Sequence, residues 1–472
     1  MLDFILPSLS NSMSPPPDGP RVDRSEQAGL EIIRAHVAGF RDRWENGQIA
    51  SPIRDLTLMV EGIKYALTEQ GLVGVAKRVH NLTIGDVHAE NLGKDGNIQI
   101  AQNLGLDPRG DIFKSMFSEV IGLWKTSWDE GNSSVTRYQA DALGFLALRE
   151  RFTGFIRNFG LDFESTETII TGGSLPGINM VFKAIQDMAR NSRRATRLIA
   201  PTPGFSVYYV QAEKMDIPVI KIPTDAFNGF CTSGESLEKA LTIGSPDHDI
   251  LYLTIPNNPT STTYELQSLA DSLSSFHALR PNGVIVVDLA YIEMIPKEQA
   301  SALLSLFEKT DTLSQAVFAV SMSKNFGFPR LRAAALLTKN TDIFHALQST
   351  SQTTYASQSS PMELLALTMW KYVTPEARQD MFDLFRRRQH ALLVSLAIID
   401  RQRVQEGKPV LIDPERIYTD IPLYVCAGLL PGTDIFTVFE KTFHCGVPIE
   451  VFGGSNGMVR FSVGIEPLAR LA

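Results

Sequence analysis

Seven short apolar runs, mostly separated by helix-like stretches, constrain this chain of 472 residues more than any other feature. They lie at 166–170, 197–200, 219–222, 250–254, 284–287, 316–320 and 333–337. Short, largely apolar runs without strict alternation suit strands buried on both faces, and helices between them supply the cover. The pattern predicts an α/β fold: a three-layer large domain with a mostly parallel, seven-stranded sheet. Past residue 362 the chain reads as long helices to about 399, then as a mixed segment ending in the apolar run 458–463. That segment is expected to form a smaller α+β domain. The division expected is 1–50 for an N-terminal arm and helix, and 51–100 for the first part of the small domain. Residues 101–385 then make the large domain and 386–472 complete the small one.

The N-terminal region adds two expectations. Residues 1 to about 25, with Pro15-Pro16-Pro17 at their centre, read as a flexible arm. Leu30, Ile33, Val37, Phe40 and Trp44 then recur at helical spacing, and a second helix is expected over 53–68. Composition narrows the class of function. A net charge of −8 and the absence of a basic block argue against nucleic-acid binding. No apolar run approaches the ~20 residues that span a bilayer, and Asp3 without a basic flank makes a poor secretion signal. The three cysteines, Cys231, Cys426 and Cys445, are far apart and show no metal-ligand spacing, so no metal is expected. Together these point to a cytoplasmic chain with free thiols.

Chemistry-bearing residues cluster where the runs end, the edge at which open α/β sheets place their sites. After 166–170 comes Thr171-Gly-Gly-Ser-Leu-Pro-Gly177, a glycine turn opening a helix, which can cradle a phosphate or serve simply as a turn. Phe205 follows the 197–200 run and can stack on a flat ring or pack in the core. Asn258, fixed between Pro256 and Pro259, offers a rigid donor or makes an ordinary turn. Asp288 ends an all-apolar run, where a carboxylate is costly to bury without a partner; a protonated pyridine nitrogen is one such partner. Tyr291 lies three residues on. Lys324 follows the sixth run among Ser321, Ser323, Arg330 and Arg332, a setting suited to an anionic, carbonyl-bearing cofactor.

The segment Ser321-Met-Ser-Lys-Asn-Phe-Gly327, with these landmarks in this order, resembles the fold-type I pyridoxal phosphate enzymes. Within them it is most similar to the class I/II aminotransferases of the aspartate aminotransferase type, over about residues 80–465. The resemblance implies pyridoxal 5′-phosphate as cofactor and Lys324 as its Schiff-base lysine. It implies Asp288 on the pyridine nitrogen, Tyr291 and Asn258 on the ring's phenolic oxygen, and Phe205 on the ring face. Ser174, the Leu175 backbone, Ser321, Ser323 and Arg332 are implied around the phosphate. Tyr138 is implied to reach it from a neighbouring subunit, hence a homodimer with shared sites. Arg460, with Asn258 and the backbone at Gly85, is implied to clamp the substrate carboxylate, a task suited to a planar guanidinium. The implied activity is exchange of an amino group between an amino acid and a 2-oxo acid.

Several positions depart from the family pattern: Ser261 and Ala334 replace glycines, Gly177 replaces alanine, and Pro329 and Arg330 flank the phosphate arginine. They mark a divergent member. A lyase, decarboxylase or O2-using oxidase on the same apparatus is the first alternative. A non-catalytic, cofactor-sensing regulator is a remote one, since the first 80 residues hold no DNA-binding module. The stretch 348–361 lacks the arginine that would read a second substrate carboxylate, leaving Arg109 and Arg137 as candidates.

Overall fold

A computed structural model of the chain describes residues 24–86, 92, 98–129, 138–242, 248–455 and 457–467. The expected arm falls almost wholly outside this set. Two N-terminal helices, Arg24–Glu45 and Pro52–Glu69, form where the spacing predicts them. Ile33, Val37 and Phe40 bury one stripe of the first against Leu56, Val60 and Ile63 of the second. Burying side chains of this size contributes about 1.5–3 kcal/mol each. The expected strand near residue 80 is only two residues long, β1 (His80–Asn81), after which the chain loops through Gly85.

The large sheet contains all seven expected strands: β2 (Thr168–Thr171), β3 (Thr196–Thr202), β4 (Val219–Pro223), β5 (His248–Thr254), β6 (Val284–Asp288), β7 (Ala316–Ser321) and β8 (Ala334–Leu337). Their order is β2-β8-β7-β6-β5-β3-β4. Six strands run parallel, and β8 is antiparallel to both β2 and β7. The connection from β7 to β8, residues 322–333, holds one four-residue helical turn and no crossover helix, so the chain doubles straight back into an antiparallel pairing.

Alternate strand residues feed two cores, one on each face. Ile199, Leu251 and Ile285 join one core with Phe152, Phe276 and Phe307. Leu198, Ile250 and Val286 join the other with Ile178, Val181 and Ile185 of helix Ser174–Asn191. All residues of β2, β3, β6, β7 and β8 are buried, which explains why the runs lack alternation.

Helices Ser360–Tyr372 and Pro375–Gln405 lead to the smaller sheet. Its strands are β9 (Ile412–Tyr418), β10 (Tyr424–Leu429), β12 (Val447–Pro448) and β13 (Met458–Ser462), ordered β12-β13-β10-β9 and antiparallel. Between them, β11 (His444–Cys445) pairs in parallel with β1. This pairing, with the Ser462 N–H donating to the Leu82 carbonyl, carries the Gly85 loop to the strand that bears Arg460. Among the described residues no helix is long and apolar enough to cross a membrane.

Candidate active site

The carboxyl ends of β2, β6 and β7 hold most of the expected residues. At the end of β7, Ser321 caps a single helical turn, Met322–Asn325, its Oγ accepting from the Ser323 N–H at 3.0 Å. That turn presents Lys324, whose Nζ donates to the Gly85 carbonyl and lies 3.4 Å from Asp86 Oδ1. The Ser321 and Ser323 hydroxyls are 3.0 Å apart.

At the end of β6, Asp288 is 4% exposed. Its Oδ2 accepts from the Tyr208 hydroxyl and its Oδ1 from the Ala290 N–H, both at 3.1 Å. Burial pushes its carboxyl up to about 6, although both donors favour the anion. The acid thus sits in an apolar setting with two neutral donors and, among the described residues, no cation in contact. Phe205, half-buried, lies edge-on to the Tyr208 ring at 5.5 Å.

The glycine turn after β2 forms a recess that holds an arginine. Gly173 has φ +101°, and a Cβ built there would fall 2.2 Å from an Arg332 guanidinium nitrogen. The guanidinium therefore lies against the bare Gly173 backbone, beside the N-terminus of helix Ser174–Asn191. Among the described residues Arg332, at φ +60°, donates only to the Pro329 carbonyl, whereas Arg330 is exposed, so Arg332 is the arginine against the glycine turn. The Ser174 Oγ is buried without a partner. The Leu175 carbonyl accepts from Gln211 at 3.4 Å. A Cβ at Gly177 would crowd Thr171 Oγ1 to 2.9 Å, which accounts for glycine in place of alanine.

Arg460, on β13, is 2% exposed and donates to Asn258 Oδ1 at 2.9 Å and to the Thr83 carbonyl at 2.6 Å. Its Nε has no partner, and among the described residues no carboxylate pairs with it. The rings of Tyr424 and Phe452 lie 4.6 and 4.8 Å from its guanidinium carbon. A buried cation held by neutral groups is costly, and an incoming carboxylate would offset that cost. Asn258 turns its Nδ2 to the Tyr291 hydroxyl at 3.1 Å.

Two expected contributors lie elsewhere. Tyr138 is 82% exposed and meets none of these groups within its own chain. Arg109 is tied to Asp107 at 2.9 Å with its side chain 79% exposed, and Arg137 lies outside the described residues. Ser261, the departure from glycine, has φ +57°, and its Oγ donates to the Ile421 and Tyr424 carbonyls, both at 3.1 Å. Sequence reasoning missed Tyr208, Asp86 and Tyr424. Tyr208 was legible, one helical turn beyond Phe205. Tyr424 was not, because antiparallel pairing alone sets it opposite Ser462, diagonal to Arg460.

The sequence model of the family described as "Aminotransferase class I and II" matches residues 124–408. Histidinol-phosphate aminotransferase of Francisella philomiragia is 28% identical over 180 residues, 38% of this chain and 45% of that protein. L-aspartate:5-guanidino-3-methyl-2-oxopentanoate transaminase of Pseudomonas syringae is 27% identical over 178 residues, 37% of this chain and 42% of that protein. The chain thus spans about half the length of the curated relatives it matches. Among solved structures, aspartate aminotransferase from Thermus thermophilus with maleate superposes with a TM-score of 0.61 at 19% identity. That match covers 88% of this chain and 93% of the other, and at such identity it shows the fold.

Proposed function

The chain belongs to the class I and II aminotransferases, which depend on pyridoxal phosphate, and on that premise we propose that it transfers the amino group of an amino acid to a 2-oxo acid. One observation carries the reading. Two arginines with no carboxylate partner among the described residues, half-buried Arg332 beside the large sheet and buried Arg460 on the smaller one, lie about a lysine and a buried acid at the carboxyl edge of the large sheet.

The residues present fit the cofactor. The unpartnered Ser174 hydroxyl, the Gly173 recess filled by Arg332, and the Ser321–Ser323 pair offer donors for a phosphate dianion. Asp288 would face the pyridine nitrogen and keep it protonated, and Phe205 would cover the ring. Tyr291 and Asn258 would hold the phenolic oxygen. When bound, pyridoxal phosphate supplies an aldehyde for a Schiff base and an electron-withdrawing ring that acidifies the substrate Cα–H.

The protein's own groups do the rest. Lys324 Nζ is the amine that would hold the cofactor and, once freed by the incoming substrate amine, would take the proton from Cα and deliver it to the carbon on the far side of the amine nitrogen. Arg460 and Asn258 hold the substrate carboxylate, fixing which Cα bond Lys324 can reach. Half-reactions with donor and acceptor then alternate on one site, giving ping-pong kinetics. We place the enzyme in the cytoplasm as a homodimer, with the exposed Tyr138 completing the partner's phosphate site. Three buried, unpaired thiols suit a reducing compartment.

The test is spectral. Purified protein should take up pyridoxal phosphate on Lys324, and an amino acid alone should convert it to pyridoxamine phosphate. Lys324→Ala should abolish both capture and turnover. Release of ammonia or CO2, uptake of O2, or turnover by Lys324→Ala would overturn the assignment.

A further inference from the structure

We propose that Tyr424 is a positioning residue of this site, donating its hydroxyl proton to the Tyr291 oxygen so that the Tyr291 proton stays free for the phenolic oxygen of the bound cofactor. This rests on the function proposed above.

The hydrogen-bond count supports it. Arg460 offers only donors, so the Asn258 atom it meets at 2.9 Å is the oxygen, and Nδ2 must face Tyr291. The Tyr291 oxygen therefore already accepts from Asn258. Among the described residues its one remaining hydrogen-bond neighbour is the Tyr424 hydroxyl at 2.9 Å, where either oxygen can be the donor. If Tyr291 donated there, its only proton would be spent on another side chain. Donation by Tyr424 fills the second acceptor position on Tyr291 and directs the Tyr291 proton into the site. It also makes that phenol a stronger donor, since hydrogen bonds in a chain polarise one another.

Tyr424 is held for this task. It is 1% exposed, and its carbonyl accepts from both Ser261 Oγ and Gln389 Nε2. Its ring lies 4.6 Å from the Arg460 guanidinium carbon. Its hydroxyl backs onto Gly85 so closely that a Cβ there would sit 2.0 Å from the oxygen. One side chain therefore touches the carboxylate clamp, the Lys324 carbonyl partner and the tyrosine assigned to the cofactor. A phenylalanine would occupy the same space and pack equally well; only the hydroxyl makes the link.

Tyr424→Phe removes that hydroxyl alone. The readout is the pH midpoint of the absorption change of the Lys324-bound cofactor in the full-length holoenzyme. A donor into the phenolic oxygen stabilises its anion, so weaker donation should raise the midpoint, by about half to one unit for one lost hydrogen bond. In a Tyr291→Phe background the same change should move nothing, a coupling that a packing role would not produce. An unchanged midpoint, or an equal rise in the Tyr291→Phe background, would overturn the proposal. If the parent protein takes up no pyridoxal phosphate, the functional reading falls as well. If it does and Tyr424→Phe behaves like it, only the role of Tyr424 falls.

Discussion

Asp288→Asn should stabilise the cofactor-free protein while disabling the enzyme. The carboxyl is displaced from an ordinary 3.8 to about 6, with burial as the largest cause. At ~1.36 kcal/mol per pH unit, this corresponds to about 3 kcal/mol lost by the folded state when the acid is ionised. The sign follows from proton binding. Between the two values the folded state holds the proton and the unfolded state releases it, so stability falls as pH rises and levels off above about 6. The penalty is absent well below 3.8 and about half developed at pH 5. Asparagine can keep both contacts, accepting from the Ala290 N–H and donating to a reoriented Tyr208 hydroxyl. It carries no charge to bury. For a chain of this length about 3 kcal/mol corresponds to a rise in melting temperature of roughly 3 °C. The assay is thermal unfolding of both cofactor-free proteins at pH 8 and pH 5. The variant's advantage should be larger at pH 8. Saturating pyridoxal phosphate should then favour the parent, whose acid gains a cationic ring nitrogen. A variant no more stable at pH 8, or a gap that widens at pH 5, would refute the reasoning.

Gly173→Ala forces a Cβ to 2.2 Å from the Arg332 guanidinium at a φ of +101°. Pyridoxal phosphate affinity should fall at least tenfold by fluorescence titration, with far-ultraviolet circular dichroism unchanged. Arg460→Lys keeps the charge but loses the planar fork, so KM for amino donors should rise about tenfold or more. Steady-state kinetics would show this against a smaller change in kcat.

Much of the site could be read from the chain because its residues sit at strand ends. Asp288, Lys324 and Gly173 each follow an apolar run that had to be a buried strand, and such runs place their carboxyl ends along one edge. Two of the residues missed lack that anchor. Asp86 lies on a loop beyond a two-residue strand. Tyr424 lies on a strand whose neighbours are chosen by pairing register. Ser261 looked like a lost glycine, yet it adopts the left-handed backbone and uses its hydroxyl to tie down the Tyr424 segment.

Local chemistry in the sequence was enough to determine the seven buried strands, the glycine turn at Gly173 and the lysine among serines. Each depends on residues close together in the chain. What only the tertiary structure decided involves groups far apart: Arg332 rather than Arg330 against Gly173, Tyr208 on Asp288, and Tyr424 between Tyr291 and Arg460. These depend on strand order, register and the direction of a side chain after a turn. Packing sets those over the whole molecule, so no stretch of sequence encodes them alone.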